Sequence, residues 1–298
     1  MRIIEESGLR RKFQLVAVGA LLLASPGLAQ VSTGFEPPDY NGSPEGTTIA
    51  GQQGWYTPPV AGTEDGSVYT YDGNALGFSP DPGGETQFEG GTSATLGDFV
   101  RAQKNFDFTT ADVWTASWDI NVNFLGTAPA SNNISSFSTQ DSTNTRSFIA
   151  VNPYMNPDTA DSWMAGWITY DASGMTIDPG GLPVAPGPEF TNLQLNHWYN
   201  ESITFDFTNG AIVSISITDL ESGNTATYSP NWYLNGGMIS SGPRPTAVRF
   251  FVGGGDVALG NAAAYDNLSV EAATGAVWGQ GKPAAPQFLK GKAGSITN

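Results

Sequence analysis

Trp114-Thr115-Ala116-Ser117-Trp118-Asp119-Ile120-Asn121-Val122-Asn123-Phe124 is the stretch that decides the fold. Apolar and polar residues alternate along it with a period of two. Successive side chains of a strand point to opposite faces, so this spacing predicts a β-strand with Trp114, Trp118 and Ile120 on a core and Thr115, Asp119 and Asn121 toward water. A second unit runs from His197 to Leu220. There Tyr199, Ile203, Phe205 and Phe207 lead into Thr208-Asn209-Gly210, and Ile212 to Ile217 lead away. Asn-Gly between two β-rich runs is a strong hairpin signal. Further strands are expected at Thr33 to Glu36, Phe99 to Phe108, Ser147 to Val151, Ser162 to Tyr170, Val248 to Val252 and Ala263 to Val270. A Gly-rich loop is expected from Ser79 to Gly91 and a turn from Asp107 to Asp112. No helical periodicity and no internal repeat is found after the first thirty residues.

Residues 1–29 read as a signal peptide. Arg10, Arg11 and Lys12 precede an apolar stretch from Leu15 to Leu23, and Gly27 and Ala29 suit cleavage before Gln30. The stretch is too short for a permanent membrane span, so the chain is expected to be exported, with no membrane insertion once the signal is cleaved. Residues 272–298, rich in Ala, Gly, Pro and Lys, read as a flexible basic tail. What remains, 30–271, is long enough to bury one core.

One histidine and no cysteine remove thiol catalysis, disulfides and multi-His or Cys-based metal sites. Between Val31 and Glu271 five basic residues stand against 26 acidic ones. Such a field repels nucleic acid and anionic membranes and suits cations, neutral sugars or a salty exterior. No Gly-x-Ser-x-Gly elbow is present. The run Gly253-Gly254-Gly255 lies between strands, where a turn suits it better than a dinucleotide loop.

Many strands, long polar loops and a strand that returns at the very end predict an all-β fold, a two-sheet antiparallel jelly-roll sandwich. Gly34-Phe35-Glu36, Gly51-Gln52-Gln53-Gly54-Trp55, His197-Trp198-Tyr199, Phe250-Phe251-Val252 and Tyr265-Asp266-Asn267-Leu268 resemble the secreted concanavalin A-like (laminin-G-like) jelly rolls. The resemblance covers roughly residues 32–271. It implies a carbohydrate-binding or surface protein, with a glycoside hydrolase or polysaccharide lyase as the alternative. Glycosidases of that superfamily carry carboxylates two residues apart on one strand, as in Glu-x-Asp-x-Glu. Here the corresponding face holds Ser117, Asp119, Asn121 and Asn123, one carboxylate among a hydroxyl and amides. That set suits hydrogen bonding to sugar hydroxyls and lacks a local acid/base partner; Glu201, on another strand, is a candidate for one. Related sandwiches often tie first and last strands through a structural Ca²⁺ held by an early Glu and a late Asp. The resemblance places Glu36 and Asp266 in those roles. Trp163 and Trp167 share one face across Ala165, and either pack in the core or stack on a sugar ring. His197 is the one imidazole open to a general-base role.

Overall fold

The computed structural model describes residues 31–92, 98–124, 134–141, 147–151, 154–155, 161–237, 244–253 and 260–273. The expected signal peptide and nearly all of the expected tail lie outside these residues, as do Gly254 and Gly255. Two sheets form a sandwich. The larger has ten strands, and its central order is Ala211–Asp219, Trp198–Asp206, Val113–Phe124, Asn261–Ala272, Gln87–Thr92 and Ser67–Thr70. The smaller has seven, ordered Trp167–Ile168, Ser147–Val151, Ser135–Gln140, Ala247–Val252, Phe99–Asn105 and Trp55–Tyr56, with Thr63–Asp65 added in parallel to the Phe99–Asn105 strand. Every other pairing between strands is antiparallel. The only helical elements among the described residues are two short 3₁₀ turns, at Phe108–Thr110 and Pro188–Phe190.

The alternating stretch becomes the strand Val113–Phe124, and Trp114, Ala116, Trp118, Ile120 and Val122 are all buried between the sheets. Across the gap Trp118 stacks on Phe137 with ring centroids 4.2 Å apart, and Tyr265 on Phe250 at 4.0 Å. Each such pair contributes about 0.5–1.5 kcal/mol beyond its buried area. The Asn-Gly hairpin closes between Trp198–Asp206 and Ala211–Asp219, with Gly210 at φ 62° where a residue with a Cβ would be strained.

The structure corrects the pattern in three places. The polar face of the central strand is not wet: Asp119 is 6 % exposed and Asn121 fully buried. Apolar side chains share that face with Asn200 and Asp266, and Trp198, Phe88, Ala262 and Ala264 join Tyr69, Tyr71, Leu76 and Phe78 in a second cluster. The segment after Tyr71 folds over them as a roof. Trp198 Nε1 donates to the Ser79 carbonyl at 2.8 Å, and Ser79 N donates to Asn196 Oδ1 at 2.9 Å. The end of the expected Gly-rich loop is strand, Gln87–Thr92. The first strand is Val31–Thr33, because Phe35 turns left-handed at φ 57° to bury its ring and leaves the ladder.

Candidate functional site

Asp119 sits under the roof with its carboxylate fully engaged. Asn200 Nδ2 donates to Oδ1 at 2.7 Å and Asn267 Nδ2 to Oδ2 at 2.8 Å. Burial pushes its pKa up, and these two bonds oppose the shift. Asn121 has no hydrogen-bond partner for either amide atom. Ser117 and Asn123, at the two ends of the row, are half-buried. The four do share a face, but it is closed by side chains from its neighbours. Asp81, on the roof, is pushed up to about 7, first by burial and then by the charges of Asp119 and Glu85, against the Gly83 N–H. Asp266 is held well above the usual carboxylate range by burial, against hydrogen bonds from Asn267 N and the Tyr71 hydroxyl. These acids feel one another, yet among the described residues no three or more His, Cys, Asp or Glu side chains converge to hold a metal ion.

Gly34 lies beside Asp266 and Asn267, two residues before Glu36. A Cβ on Gly34 would stand 3.2 Å from Asn267 Oδ1, 3.6 Å from Asp266 Oδ1 and 3.8 Å from Glu36 Cγ. Two side-chain oxygens, Asn267 Oδ1 and Asp266 Oδ1, therefore face this backbone position. Glu36 already works without a cation, because its carboxylate accepts from Thr86 N at 2.6 Å, Gln87 N at 2.9 Å and the Thr86 hydroxyl. Those bonds tie the first segment to the end of the roof.

Trp163 and Trp167 are 0 % and 1 % exposed, so neither indole offers a face to a ligand. The expected continuous strand is broken into Ser162–Met164, which lies in a separate three-stranded sheet between Tyr154–Met155 and Leu193–Gln194, and Trp167–Ile168, at the edge of the smaller sheet. Trp163 packs edge-on to Tyr199 and donates to the Gln194 carbonyl, and Trp167 packs on Phe190. Glu201 cannot partner Asp119, because register pairs it with Trp118 and turns it into the core, while Asn200 faces Asp119. His197 lies between two carboxylates, Nε2 3.1 Å from Asp219 and Nδ1 3.4 Å from Glu221. It clamps the far end of the hairpin.

The opposite side of the molecule carries a polar surface that the sequence reading did not single out. On the smaller sheet Val100, Ala102, Phe137, Val248 and Phe250 face the core. The alternate positions Arg101, Gln103, Ser136, Ser138, Gln140 and Arg249 therefore share the outer face, together with Tyr56 beside Gln103. Arg249 Nε donates to Gln103 Oε1 at 2.7 Å, Gln103 Nε2 to the Tyr56 hydroxyl at 2.5 Å, and Tyr56 in turn to Asn105 Oδ1 at 2.9 Å. Gln140 Nε2 donates to Ser138 Oγ at 2.7 Å, and Ser136 Oγ has no hydrogen-bond partner. Gln103, Ser136, Ser138, Gln140 and Arg249 are buried although they lie on the outside of a sheet, whereas Tyr56, Arg101, Phe99 and Phe251 are half-buried. This is a polar floor with partly exposed aromatic and cationic neighbours. The signal was available: Arg and Gln alternate with apolar residues in Phe99 to Gln103, and Arg249 interrupts an apolar run in a chain poor in basic residues.

No family model and no curated protein matches the chain. Solved structures align with it at low identity. A carbohydrate esterase from the Shiga toxin-encoding bacteriophage phi24B aligns at TM-score 0.44 and 11 % identity, over 77 % of this chain and 97 % of its own. The cellulose-induced protein Cip1 aligns at 0.44 and 13 % identity, over 82 % and 97 %. The metal-free lectin I-B4 of Griffonia simplicifolia aligns at 0.38 and 10 % identity, over 62 % and 88 %.

Proposed function

We propose that the protein is an exported carbohydrate-binding jelly roll whose binding surface is the outer face of the smaller sheet. The observation that carries this reading is the buried polar floor of Gln103, Ser136, Ser138, Gln140 and Arg249 beside Tyr56, Phe99 and Phe251. Sugars present hydroxyls that both donate and accept, and apolar C–H faces that pack on aromatic rings. Amide, hydroxyl and guanidinium groups fixed on strands meet the first need, and partly exposed rings meet the second. The roofed Asp119 face meets neither until the roof moves. The test is affinity electrophoresis of the full chain through gels containing neutral and acidic polysaccharides. Retardation by at least one polymer is expected, and uniform mobility across the panel would overturn the reading.

A polysaccharide-cleaving activity is the second reading. It is favoured by the Tyr56 hydroxyl, which shares a hydrogen-bond chain with Gln103 and the Arg249 guanidinium and could exchange a proton with a bound substrate. New reducing ends released from the retarding polymer would establish it. A structural Ca²⁺ between Glu36 and Asp266 belongs to the same proposal, supported by the Asp266 and Asn267 side-chain oxygens that face Gly34, two residues before Glu36.

A further inference from the structure

We propose that a cavity at the edge of the larger sheet, beside the turn that follows Ala211–Asp219, binds a protonated amino sugar, with its ammonium held by Asp219 and Glu189. The cavity is built from other elements than the outer face of the smaller sheet, so the inference goes beyond the glycan-binding reading and stands without it. Its volume is about 310 Å³. Small-molecule sites run from about 300 to 1,000 Å³, so this one takes a single ring and not a segment of polymer.

Register builds the floor. Tyr199 pairs with Asp219 and Ile217 with Ala226, and Tyr199 and Ile217 belong to the core. Side chains directly opposite, or two apart along a strand, share a face. Asp219 and Ala226 therefore lie on the inner side too, where the edge strand Thr225–Tyr228 ends the sheet. Leu193 adds to the apolar floor, and Glu189, Asp219 and Asn224 make the polar mouth. The turn there is tied by its own backbone, with Asp219 N donating to the Asn224 carbonyl at 2.9 Å and Gly223 N to the Asp219 carbonyl at 2.8 Å.

The polar groups are oriented and charged before any ligand arrives. Asp219 Oδ1 accepts from Glu221 N at 3.0 Å and Ser222 N at 2.9 Å and faces His197 Nε2 at 3.1 Å. Its Oδ2 accepts from no group among the described residues. Burial works to raise Asp219, but the Ser222 N–H, His197 and the Glu221 N–H outweigh it and hold the carboxyl below its usual range. Glu189 is lowered by the Tyr228 hydroxyl, which donates to its Oε2. Both acids are thus anionic at neutral pH, and no lysine or arginine among the described residues lines the cavity. The Tyr199 hydroxyl accepts from Gln194 N at 3.0 Å and gives its own proton to no acceptor among the described residues. Burial raises Tyr199 against that N–H, which keeps the proton in place as a donor.

This set selects among ligands. Two carboxylates fall short of the six to eight oxygens that a calcium ion takes. A neutral sugar would leave the carboxylates without a counter-charge. A plain alkylamine would leave the Tyr199 proton and the Asn224 amide unused. An amino sugar meets all of them: its ammonium bonds to the carboxylates, its hydroxyls meet Tyr199 and Asn224, and its C–H face packs on Leu193, Ile217 and Ala226.

The test is calorimetric titration of the full chain with the β-1,4-linked tetramer of glucosamine, its N-acetylated counterpart, cellotetraose and butylamine. The glucosamine tetramer is expected to bind, and each of the others about tenfold or more weaker. Asp219→Asn is expected to weaken the glucosamine tetramer about tenfold, and Ala226→Leu, which fills the cavity and touches no charge, to abolish its binding. The net charge of −16 draws any cation weakly toward the surface, so Glu271→Gln removes the same charge from an exposed position on another strand and should leave affinity unchanged. Equal affinity for the glucosamine and N-acetylated tetramers overturns the ammonium contact, and butylamine binding as tightly overturns the sugar. Both comparisons use the wild type and hold even if a variant fails to fold. Full affinity in both Asp219→Asn and Ala226→Leu also overturns the proposal, as does silence from the glucosamine tetramer. Polymer retardation through the outer face should survive in Asp219→Asn, so either reading can fail while the other stands.

Discussion

Replacing Glu201 by glutamine should make the protein more stable in alkali and change little in acid. Glu201 lies in the interior of the sandwich on the strand Trp198–Asp206, opposite Trp118 and Ile217, and is fully buried. Neither carboxyl oxygen has a hydrogen-bond partner. The Trp118 indole N–H is near enough to favour the charged form slightly but does not reach hydrogen-bond geometry. Burial therefore dominates and raises the group from 4.5 to about 8. A carboxyl that binds its proton more tightly when folded contributes its full stability below pH 4.5. It loses that contribution as the pH rises, because the unfolded chain sheds the proton first. At 1.36 kcal/mol per pKa unit the loss amounts to at most about 5 kcal/mol by pH 8. For a domain of this size that corresponds to a fall in melting temperature on the order of 10 °C.

Scanning calorimetry of wild type and Glu201→Gln from pH 5 to pH 9 at constant ionic strength reads the effect. The curves should lie close together at pH 5 and diverge as the wild type falls. Glu89, raised by burial to about 8 in the same core, keeps part of the slope in the single variant. Glu89→Gln with Glu201→Gln should flatten the profile further. Carboxylates with lowered pKa, such as Asp112, Asp171 and Glu189, lose their contribution only in acid, outside this window. Parallel profiles for wild type and Glu201→Gln across the range would refute the reasoning and mean that Glu201 is solvated or ionised in the folded protein.

Phe250→Ala should cost about 3–5 kcal/mol in denaturant titration, because the buried ring stacks on Tyr265 and Trp55 and its loss leaves a cavity. A loss below 1 kcal/mol would mean that the stack is not the centre of the core. If Ca²⁺ binds between Glu36 and Asp266, a concentration a hundred times its Kd adds about 2.7 kcal/mol, so a chelator should lower the melting temperature by several degrees. An unchanged melting temperature would dismiss that site. Asp119→Asn should bring the Asp81 carboxyl titration, followed by carbon NMR, down from about 7, because the Asp119 charge is one of its causes. An unshifted midpoint would mean that the two groups do not interact.

The strands were legible because their signal is local. Trp114 to Phe124 alternates by itself, and Asn209-Gly210 marks its own turn. The burial of Asp119 and Asn121 was not legible, because it depends on Trp198, Phe88 and Ala264, brought to that face by register from strands distant in sequence. Glu201 looked like a partner for Asp119 until pairing set it opposite Trp118. One residue of register carries a side chain from one face of a sheet to the other. Trp163 and Trp167 gave no local sign of their environment, since an indole in a core and an indole on a platform read alike. The outer face of the smaller sheet assembles from Trp55–Tyr56, Phe99–Asn105, Ser135–Gln140 and Ala247–Val252, and no single segment carries more than three of its polar residues.

The short strand Val31–Thr33 lies antiparallel against Leu268–Val270, so both ends of the sandwich leave it side by side. Pulled apart from that end, the pair would unzip one residue at a time, and tension between the two ends would peel off three residues before the core bore any load. A short linker could also join the two ends, and new termini opened in an exposed turn should leave the sandwich intact. An anchor attached at either end would present the arginine-bearing face in nearly the same direction.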